Sequence, residues 1–171
     1  MSIFKKNKKK ENVSQDEMMN VKRAAIEAAL KKMGLMYTFK VVSGGEAYTF
    51  EFELKTEQTH SINFDISFNK NGAMGLDSGE IFKAEASDRP KVLEELNMLN
   101  QLDLHKYYMD STGSVKLKHR ISKNIPPKIL PNEIESLIEG VLNSVNWAYP
   151  RIIRAIEGRE FDGSQAISLF D

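Results

Sequence analysis

The feature that most constrains the fold of this chain is a pair of segments in which apolar and polar residues alternate without interruption. Large apolar side chains occupy every second position from Tyr48 to Leu54, and the same pattern returns from Ile62 to Phe68. Successive side chains of a β-strand point to opposite faces, so a period of two predicts two strands with one buried and one wet face. The short connection between them predicts an antiparallel pair.

A β-hairpin is predicted later in the chain, around Gly113. Apolar residues again occupy alternate positions on both sides of a turn sequence that reads Asp-Ser-Thr-Gly. A three-residue loop with Gly113 in the left-handed conformation would place Met109 opposite Val115 and Tyr107 opposite Leu117. This register buries one face of the hairpin and leaves the lysines of its second strand on the other face.

The same register brings His105 opposite His119 at the open end of the hairpin. Two imidazoles that face each other could form a metal site or a pH switch. The sequence offers no third ligand nearby, so the interpretation that we favour is two ordinary histidines at the strand ends. We therefore expect neither a metal site nor a cofactor.

Helices are expected at both ends of the chain. Residues Ser14–Glu17 have the spacing of a capping box, and the helix that they open should end at Gly34. The last helix should open at Leu130–Asn132 and carry the largest apolar stripe of the chain, and Pro150 is expected to kink or end it near Tyr149. In the first helix the predicted buried positions are Met18, Val21, Ala25, Ala28, Ala29 and Met33.

A shorter helix is expected in the middle of the chain, where the sequence reads Leu96-Asn97-Met98-Leu99-Asn100. Leu93 and Leu96 fall on one side, which should pack against the core. Asparagine side chains bond readily to nearby backbone groups. Asn97 and Asn100 are therefore predicted to fasten the end of this helix to the next strand.

Together these elements predict an α+β fold with a single antiparallel sheet of five or six strands, in the order α-β-β-β-(β)-α-β-β-α, and with the helices on one face. The other face should be exposed, because it carries the charged residues Glu51, Glu53, Asp65, Lys116, Lys118 and Arg120. The predicted organisation is a basic disordered arm at residues 1–13, one domain at residues 14–157 and a flexible C-terminal tail at residues 158–171.

Three stretches of the sequence carry a resemblance to a known family. They are Leu96-Asn97-Met98-Leu99-Asn100, the hairpin with Tyr107, Met109, Asp110 and Gly113, and the last-helix sequence Val145-Asn146-Trp147-Ala148-Tyr149-Pro150. In these the chain resembles the YbjN-like family, bacterial proteins described as sensory-transduction regulators, whose fold is shared with type III secretion chaperones. The resemblance covers roughly residues 14 to 157. It implies the same α+β fold and no catalytic constellation.

The composition argues against several kinds of chemistry. The chain contains no cysteine, so it has no disulfide and no thiolate nucleophile, which favours a cytoplasmic location. No apolar run approaches the length that spans a bilayer. No serine stands in a nucleophile elbow, and no pair of carboxylates is specially placed. We therefore expect a protein that is not an enzyme and has no catalytic residues.

A net charge of zero hides an uneven distribution, because lysines crowd the first ten residues. Such an arm could contact nucleic acid or an anionic membrane, although a solvated and disordered terminus is the simpler interpretation. The row Lys116, Lys118 and Arg120 could add further phosphate contacts. A nucleic-acid-binding regulator is thus the alternative function.

Trp147 is the only tryptophan of the chain. On a helical wheel it lies about 200 degrees from the middle of the apolar stripe, so a straight helix would turn it away from the core. Gly140, Asn143 and Arg154 lie near it, which suggests a contact surface for a partner. Two alternatives compete: a bend at Pro150 could bury the ring, or the first helix or the C-terminal tail could cover it.

The leading hypothesis is a non-enzymatic protein-binding domain, a chaperone-like or regulatory adaptor that holds a segment of a client protein. The sheet face and a groove between helices are the candidate surfaces for this client. A homodimer is also expected, since the resemblance includes dimeric chaperones.

Overall fold

Seven strands in the described part of the chain form one antiparallel sheet. The computed structural model describes residues 14–57 and 61–158. The strands are β1 (Tyr37–Val42), β2 (Ala47–Lys55), β3 (Ser61–Asn69), β4 (Met74–Ser78), β5 (Phe82–Lys83), β6 (Lys106–Met109) and β7 (Ser114–Ile121). Neighbouring strands run in the order β1-β2-β3-β4-β7, and both β5 and β6 also pair with β7. A short 3-10 turn, Ser43–Gly45, joins β1 to β2.

In the part of the chain that the structure describes, the sheet has seven strands, whereas five or six are predicted. The difference arises because two short strands, β4 and β5, follow one another along the same side of β7 with an interruption between them. Val115 of β7 pairs with β6 on one side and with β5 on the other, and Lys118 pairs with β6 and with β4 in the same way. β4 and β5 therefore lie along the same edge of β7. Gly79 lies in the interruption, where its N–H donates to Asn63 O at 2.7 Å. The α+β class and the antiparallel pairing are confirmed.

Three helices within the described ranges cover the apolar face of the sheet. They are α1 (Gln15–Lys32), α2 (Arg89–Leu102) and α3 (Leu130–Glu157). α3 buries the side chains of Leu130, Ile134, Ile138, Val141, Val145, Ala148 and Ile152 in the common core. These pack with the inward residues of the strands, among them Phe50, Phe64, Ile66, Phe68, Leu76 and Leu117. Across residues 14–57 and 61–158, no helix combines the length and the apolar character needed to cross a membrane.

The buried side of α1 differs in part from the prediction. Met18 is 38% exposed and Ala28 is also exposed, whereas Ile26 and Leu30 are fully buried. The prediction followed small alanines along the helix, but larger side chains remove more apolar area from water and so decide which side is buried. Lys22 also lies on the buried side, because its ammonium donates to Gly72 O at 3.0 Å.

Pro150 lies inside α3 and does not end it. The helix continues to Glu157, and Gly158 follows in the left-handed conformation with φ of 70°. A proline in a helix interior costs about 3 kcal/mol. Ala148 and Ile152 on either side of Pro150 are buried in the core, and this packing keeps the helix continuous through the proline.

Candidate functional site

Helices α2 and α3 lie side by side. Their contacts, in the order of α2, are Lys91 Nζ to Ile156 O at 2.9 Å, Arg151 Nε to Glu95 Oε1 at 2.6 Å, and Ser144 Oγ to Asp103 Oδ2. Residue numbers fall along α3 as they rise along α2, so the two helices are antiparallel. We call this line of contact the seam.

Large apolar side chains beside the seam are exposed to solvent. Met98 is 46% exposed, Leu102 66% and Leu104 85%. Met98 and Leu102 follow Glu95 at helical spacing, so they lie on the side of α2 that borders α3. Leu104 comes just after the end of α2. Trp147 lies between Ser144 and Arg151 in α3, so the antiparallel contacts place it opposite the stretch of chain between Glu95 and Asp103. We call Met98, Leu102, Leu104 and Trp147 the seam patch.

Trp147 is partly buried, so the straight-helix projection was only partly right. The guanidinium carbon of Arg151 lies 4.7 Å from the centroid of the indole ring, and the ring packs against the edge of the core. Arg151 is itself 6% exposed and donates to Glu95 of α2. The sequence did not indicate this ion pair, although Arg151 follows Trp147 at the four-residue spacing of neighbours on one helix face.

The other α3 residues predicted to bind a partner lie on the same side of the helix as Trp147. Gly140 lies against the imidazole of His105, where an added Cβ would be 3.5 Å from Nε2. Asn143 is exposed, and Arg154 is partly buried. Gly140 and Asn143 border the seam patch, whereas Arg154 lies toward the beginning of α2.

The predicted hairpin register is confirmed. Met109 pairs with Val115 and Tyr107 pairs with Leu117. Gly113 has a φ of 88°, in the left-handed region. This register was predictable because the length of the loop determines which residues face each other.

A group of polar side chains lies beneath the seam patch, between α2, the hairpin and α3. His105 and His119 face each other as predicted, with 3.1 Å between their Nδ1 atoms. Asp103 accepts from the backbone N–H of His105 at 3.0 Å and from the hydroxyl of Ser144. Since Ser144 gives its proton to Asp103, its oxygen accepts from Tyr107 Oη, 2.5 Å away. We call Asp103, His105, Tyr107, His119 and Ser144 the polar cluster.

The polar cluster contains a serine, histidines and a carboxylate, but not the connections of a hydrolase. In a serine hydrolase the histidine accepts from the serine and donates to the carboxylate. Here Ser144 donates directly to Asp103, and the ring of His105 bonds to His119 instead. Ser144 is 7% exposed, so its oxygen is also inaccessible to a substrate. These hydrogen bonds hold α2, the hairpin and α3 together, and they do not prepare Ser144 for acyl transfer.

Burial shifts the pKa values of the two histidines and of Tyr107 in the cluster. It lowers the pKa of His105, an effect that the nearby Asp103 opposes and His119 reinforces. It also lowers the pKa of His119, again opposed by Asp103. Burial raises the pKa of Tyr107, so its phenol keeps its proton. At neutral pH the two imidazoles are uncharged, and one donates its Nδ1–H to the other.

The polar cluster brings two imidazole nitrogens within reach of one ion. Structural zinc sites need four ligands, and catalytic ones need three from the protein. Within residues 14–57 and 61–158, no group of three or more His, Asp or Glu side chains is placed to hold a metal ion.

Asn100 fastens the end of α2 to β6, as predicted. Its Nδ2 donates to Tyr107 O at 2.8 Å, and its Oδ1 accepts from Tyr107 N–H at 2.7 Å. β6 is an edge strand, and the amide of Asn100 bonds both outward-facing groups of Tyr107 in place of another strand. The same prediction is wrong for Asn97, which lies on the exposed side of α2, and Leu93 is 45% exposed although Leu96 is buried.

The row of basic residues on the outer sheet face is largely neutralised. Lys116 Nζ lies 2.9 Å from Asp110, and Lys118 Nζ lies 3.6 Å from Asp77. Arg120 is exposed. Paired lysines offer less charge to phosphates than the sequence suggested. The N-terminal lysines, the other part of the nucleic-acid hypothesis, lie outside the described residues.

Tyr149, another residue that carries the family resemblance, packs within the fold. Tyr149 packs its ring against Phe82 of β5, with 6.1 Å between ring centroids.

In comparisons with known proteins, the chain matches no protein-family model, no curated protein and no solved structure. The resemblance to the YbjN-like family therefore rests on the residues that carry it.

Proposed function

We propose that this chain is a non-enzymatic protein-binding domain, a chaperone-like or regulatory adaptor that holds a segment of a client protein against the seam patch. The observation that supports the proposal is the exposure of Leu102 and Leu104, 66% and 85%, where α2 ends. Adjacent large apolar side chains in contact with water are typical of contact surfaces.

Burial of the seam patch by a partner would be favourable. Full burial of one leucine side chain contributes about 1.5 to 3 kcal/mol relative to leaving it in water. Tryptophan is a frequent anchor at interfaces. Because Arg151 already fixes the ring of Trp147, binding would cost little side-chain entropy there.

The resemblance to YbjN-like proteins and to type III secretion chaperones supports a role in holding another protein. We propose residues 14–157 as the binding domain and the cytoplasm as its location, since the chain has no cysteine. In the absence of a client, a second copy of the chain is the proposed occupant of the seam patch, which would give a homodimer.

Affinity purification of the full chain from its native cell, followed by mass spectrometry, tests this function. The variant with Leu102→Glu and Leu104→Glu should lose the client that the unchanged chain captures. Met36→Glu is the matched control, because Met36 is 90% exposed just before β1, at the other edge of the sheet. Loss of the client in Met36→Glu with retention in the double variant would move the contact surface to β1.

Trp147 reports association directly, because it is the only tryptophan. Its emission should shift to the blue when purified client is added, or when a dimer forms at higher concentration. Sedimentation of the unchanged chain and of the Leu102→Glu, Leu104→Glu variant tests the homodimer. Equal sizes and equal spectral changes in the two chains would contradict the seam patch as the contact.

A further inference from the structure

The contact between His105 and His119 joins the chain segment that carries Leu104 of the seam patch to β7 of the sheet. His105 follows Leu104 directly, and its N–H is bonded to Asp103, so the three residues 103–105 form a unit at the end of α2. On the sheet side the contact is made by His119 of β7. Leu104 thus lies between two held residues, His105 in contact with His119 and Asp103 in contact with Ser144.

We propose that the His105–His119 pair is a pH-sensitive switch, closed at neutral pH, that opens in acid, displaces Leu104 of the seam patch and releases the bound client. The release of a client rests on the proposed function. The opening itself rests only on the geometry of the pair.

The number of protons on the pair decides whether it can close. A hydrogen bond between the two Nδ1 atoms, 3.1 Å apart, needs one N–H and one lone pair. A first added proton leaves this bond possible, because an imidazolium still donates to a neutral imidazole, and Asp103 stabilises that charge. A second proton removes the last lone pair and places two cations side by side. The closed pair thus holds one proton fewer than the opened pair in acid.

The charged and titratable groups around the pair are few. The α2–β6 segment contributes Asp103, and β6 contributes Tyr107, whose hydroxyl is bonded to Ser144. Lys106 of β6 directs its ammonium to the carbonyl oxygen of Asn100, 2.8 Å away.

Among the residues that the structure describes, the remaining elements around the pair contribute uncharged groups. α3 contributes Gly140 and Ser144, and β4 places Leu76 opposite His119. Asp103 is therefore the charged group that acts on both rings. One extra proton in the opened state raises the opening equilibrium about tenfold per pH unit, once the pH is below the ordinary histidine value.

Hydrogen exchange on the isolated full chain tests the switch without any client. The chain has three histidines, so His60→Gln leaves the pair as the only ones. After correction for intrinsic exchange, protection of the His105 and Tyr107 amides in this background should fall about tenfold between pH 6 and pH 5. The Thr112 and Ser114 amides, bonded to Asp110, are internal controls and should keep their protection.

The variant His60→Gln, His119→Gln keeps a hydrogen-bond acceptor that does not titrate, and protection of the same amides should depend less steeply on pH, because His105 alone still takes up a proton. Circular dichroism checks that it folds, and His105→Gln in the same background replaces it if it does not. An equal loss of amide protection in the His60→Gln chain and in the variant that also lacks one histidine of the pair would overturn the switch. No loss of protection in the His60→Gln chain would also overturn it. Because no client is present, this outcome is independent of the capture experiment. If the switch holds, client captured at pH 7.5 should dissociate at pH 5.5 from the unchanged chain and stay bound to the glutamine variant.

Discussion

The two ends of the β6–β7 hairpin are held by different chemistry. At the turn, the carboxylate of Asp110 accepts from the Thr112 hydroxyl at 2.7 Å and from the backbone N–H groups of Thr112 and Ser114 at 2.9 and 3.1 Å. Arg89 adds a bond to Thr112 O at 2.9 Å. At the open end, His105 meets His119, and burial lowers the pKa of both rings below the ordinary histidine value. Asp110, at the turn, is partly exposed and keeps its charge, whereas His105, at the open end, is buried and can change its charge.

The difference shows that the burial of a group does not determine whether its charge stays constant as the pH changes. Hydrogen bonds from Thr112, then the contact with Lys116, hold the pKa of Asp110 well below its usual range. That carboxylate therefore stays ionised through the whole physiological range. Burial lowers the pKa of His105 and His119 but leaves them as the groups of the hairpin that acid can charge.

The largest expected effect is at the turn, where Gly113→Ala should destabilise the fold by about 3 kcal/mol or more. The φ of Gly113 is +88°, and an added Cβ would lie 2.5 Å from Ala84 O. Urea unfolding measures the loss. The matched control is Gly34→Ala, with φ of +68° and no atom within 4 Å of the added Cβ, which should cost only the backbone strain of about 1 kcal/mol. Equal losses in the two variants would show that the turn is not tightly packed.

A smaller effect is expected at the open end, where Asn100→Ala should cost about 2 to 3 kcal/mol. The substitution removes both bonds to Tyr107 and leaves the outer edge of β6 unpaired. Asn97→Ala is the control, because the same residue type on the exposed side of the same helix should give a change near zero or a slight gain in helix propensity. Equal unfolding free energies for the two variants would contradict the role of Asn100.

Acid should distinguish the two ends of the hairpin. The pKa values of His105 and His119 are lower in the folded chain, so the unfolded chain binds more protons once the pH falls below the ordinary histidine value of 6.5. Their contribution to stability is therefore complete above that value and is lost as the pH falls toward the folded pKa values. Each extra proton corresponds to about 1.4 kcal/mol per pH unit.

The measurement is urea unfolding at several pH values for the His60→Gln chain and for the same chain with His105→Gln and His119→Gln. The first should lose stability between pH 7 and pH 5 more steeply than the second. Asp110 contributes in the same sense but at lower pH, since its folded pKa is also depressed and its contribution is lost only as the pH falls below the ordinary carboxyl range. Parallel curves for the two chains would show that the pair is not the acid-sensitive contact.

Local patterns in the sequence predicted the hairpin but not the seam. The register of Met109 with Val115 follows from a loop of fixed length, and Gly113 determines that loop. The ion pair of Glu95 with Arg151 depends on how two distant helices pack. Helical periodicity indicates which side of a helix is buried, but not which residues it will meet.

Short strands were also difficult to count from the sequence. One short strand is predicted at Ile81–Ala84 and is confirmed as β5, whereas the glycine-rich stretch Asn69–Glu80, which could hold a loop or a ragged edge strand, contains β4. Likewise, the exposure of Leu102 and Leu104 could not be predicted, since apolar residues at the end of a helix are usually covered by another element. The candidate surface thus emerged from the packing of α2 on α3.

The smallest effect on stability is expected at the outer surface of the open end, where Leu104→Ser should change the unfolding free energy by no more than about 0.5 kcal/mol. Leu104 is 85% exposed, so its side chain loses little by truncation in the free chain. Its effect on a bound client should be larger, about tenfold or more in affinity, because full burial of a leucine contributes about 1.5 to 3 kcal/mol. Titration of the client against both chains by fluorescence of Trp147 measures the ratio.

Ser111→Ala, an exposed position at the turn, is the control and should change neither stability nor affinity. A Leu104→Ser chain that unfolds more easily yet binds as before would place Leu104 in the support of the fold, and the seam patch would then have lost its most exposed member as a contact.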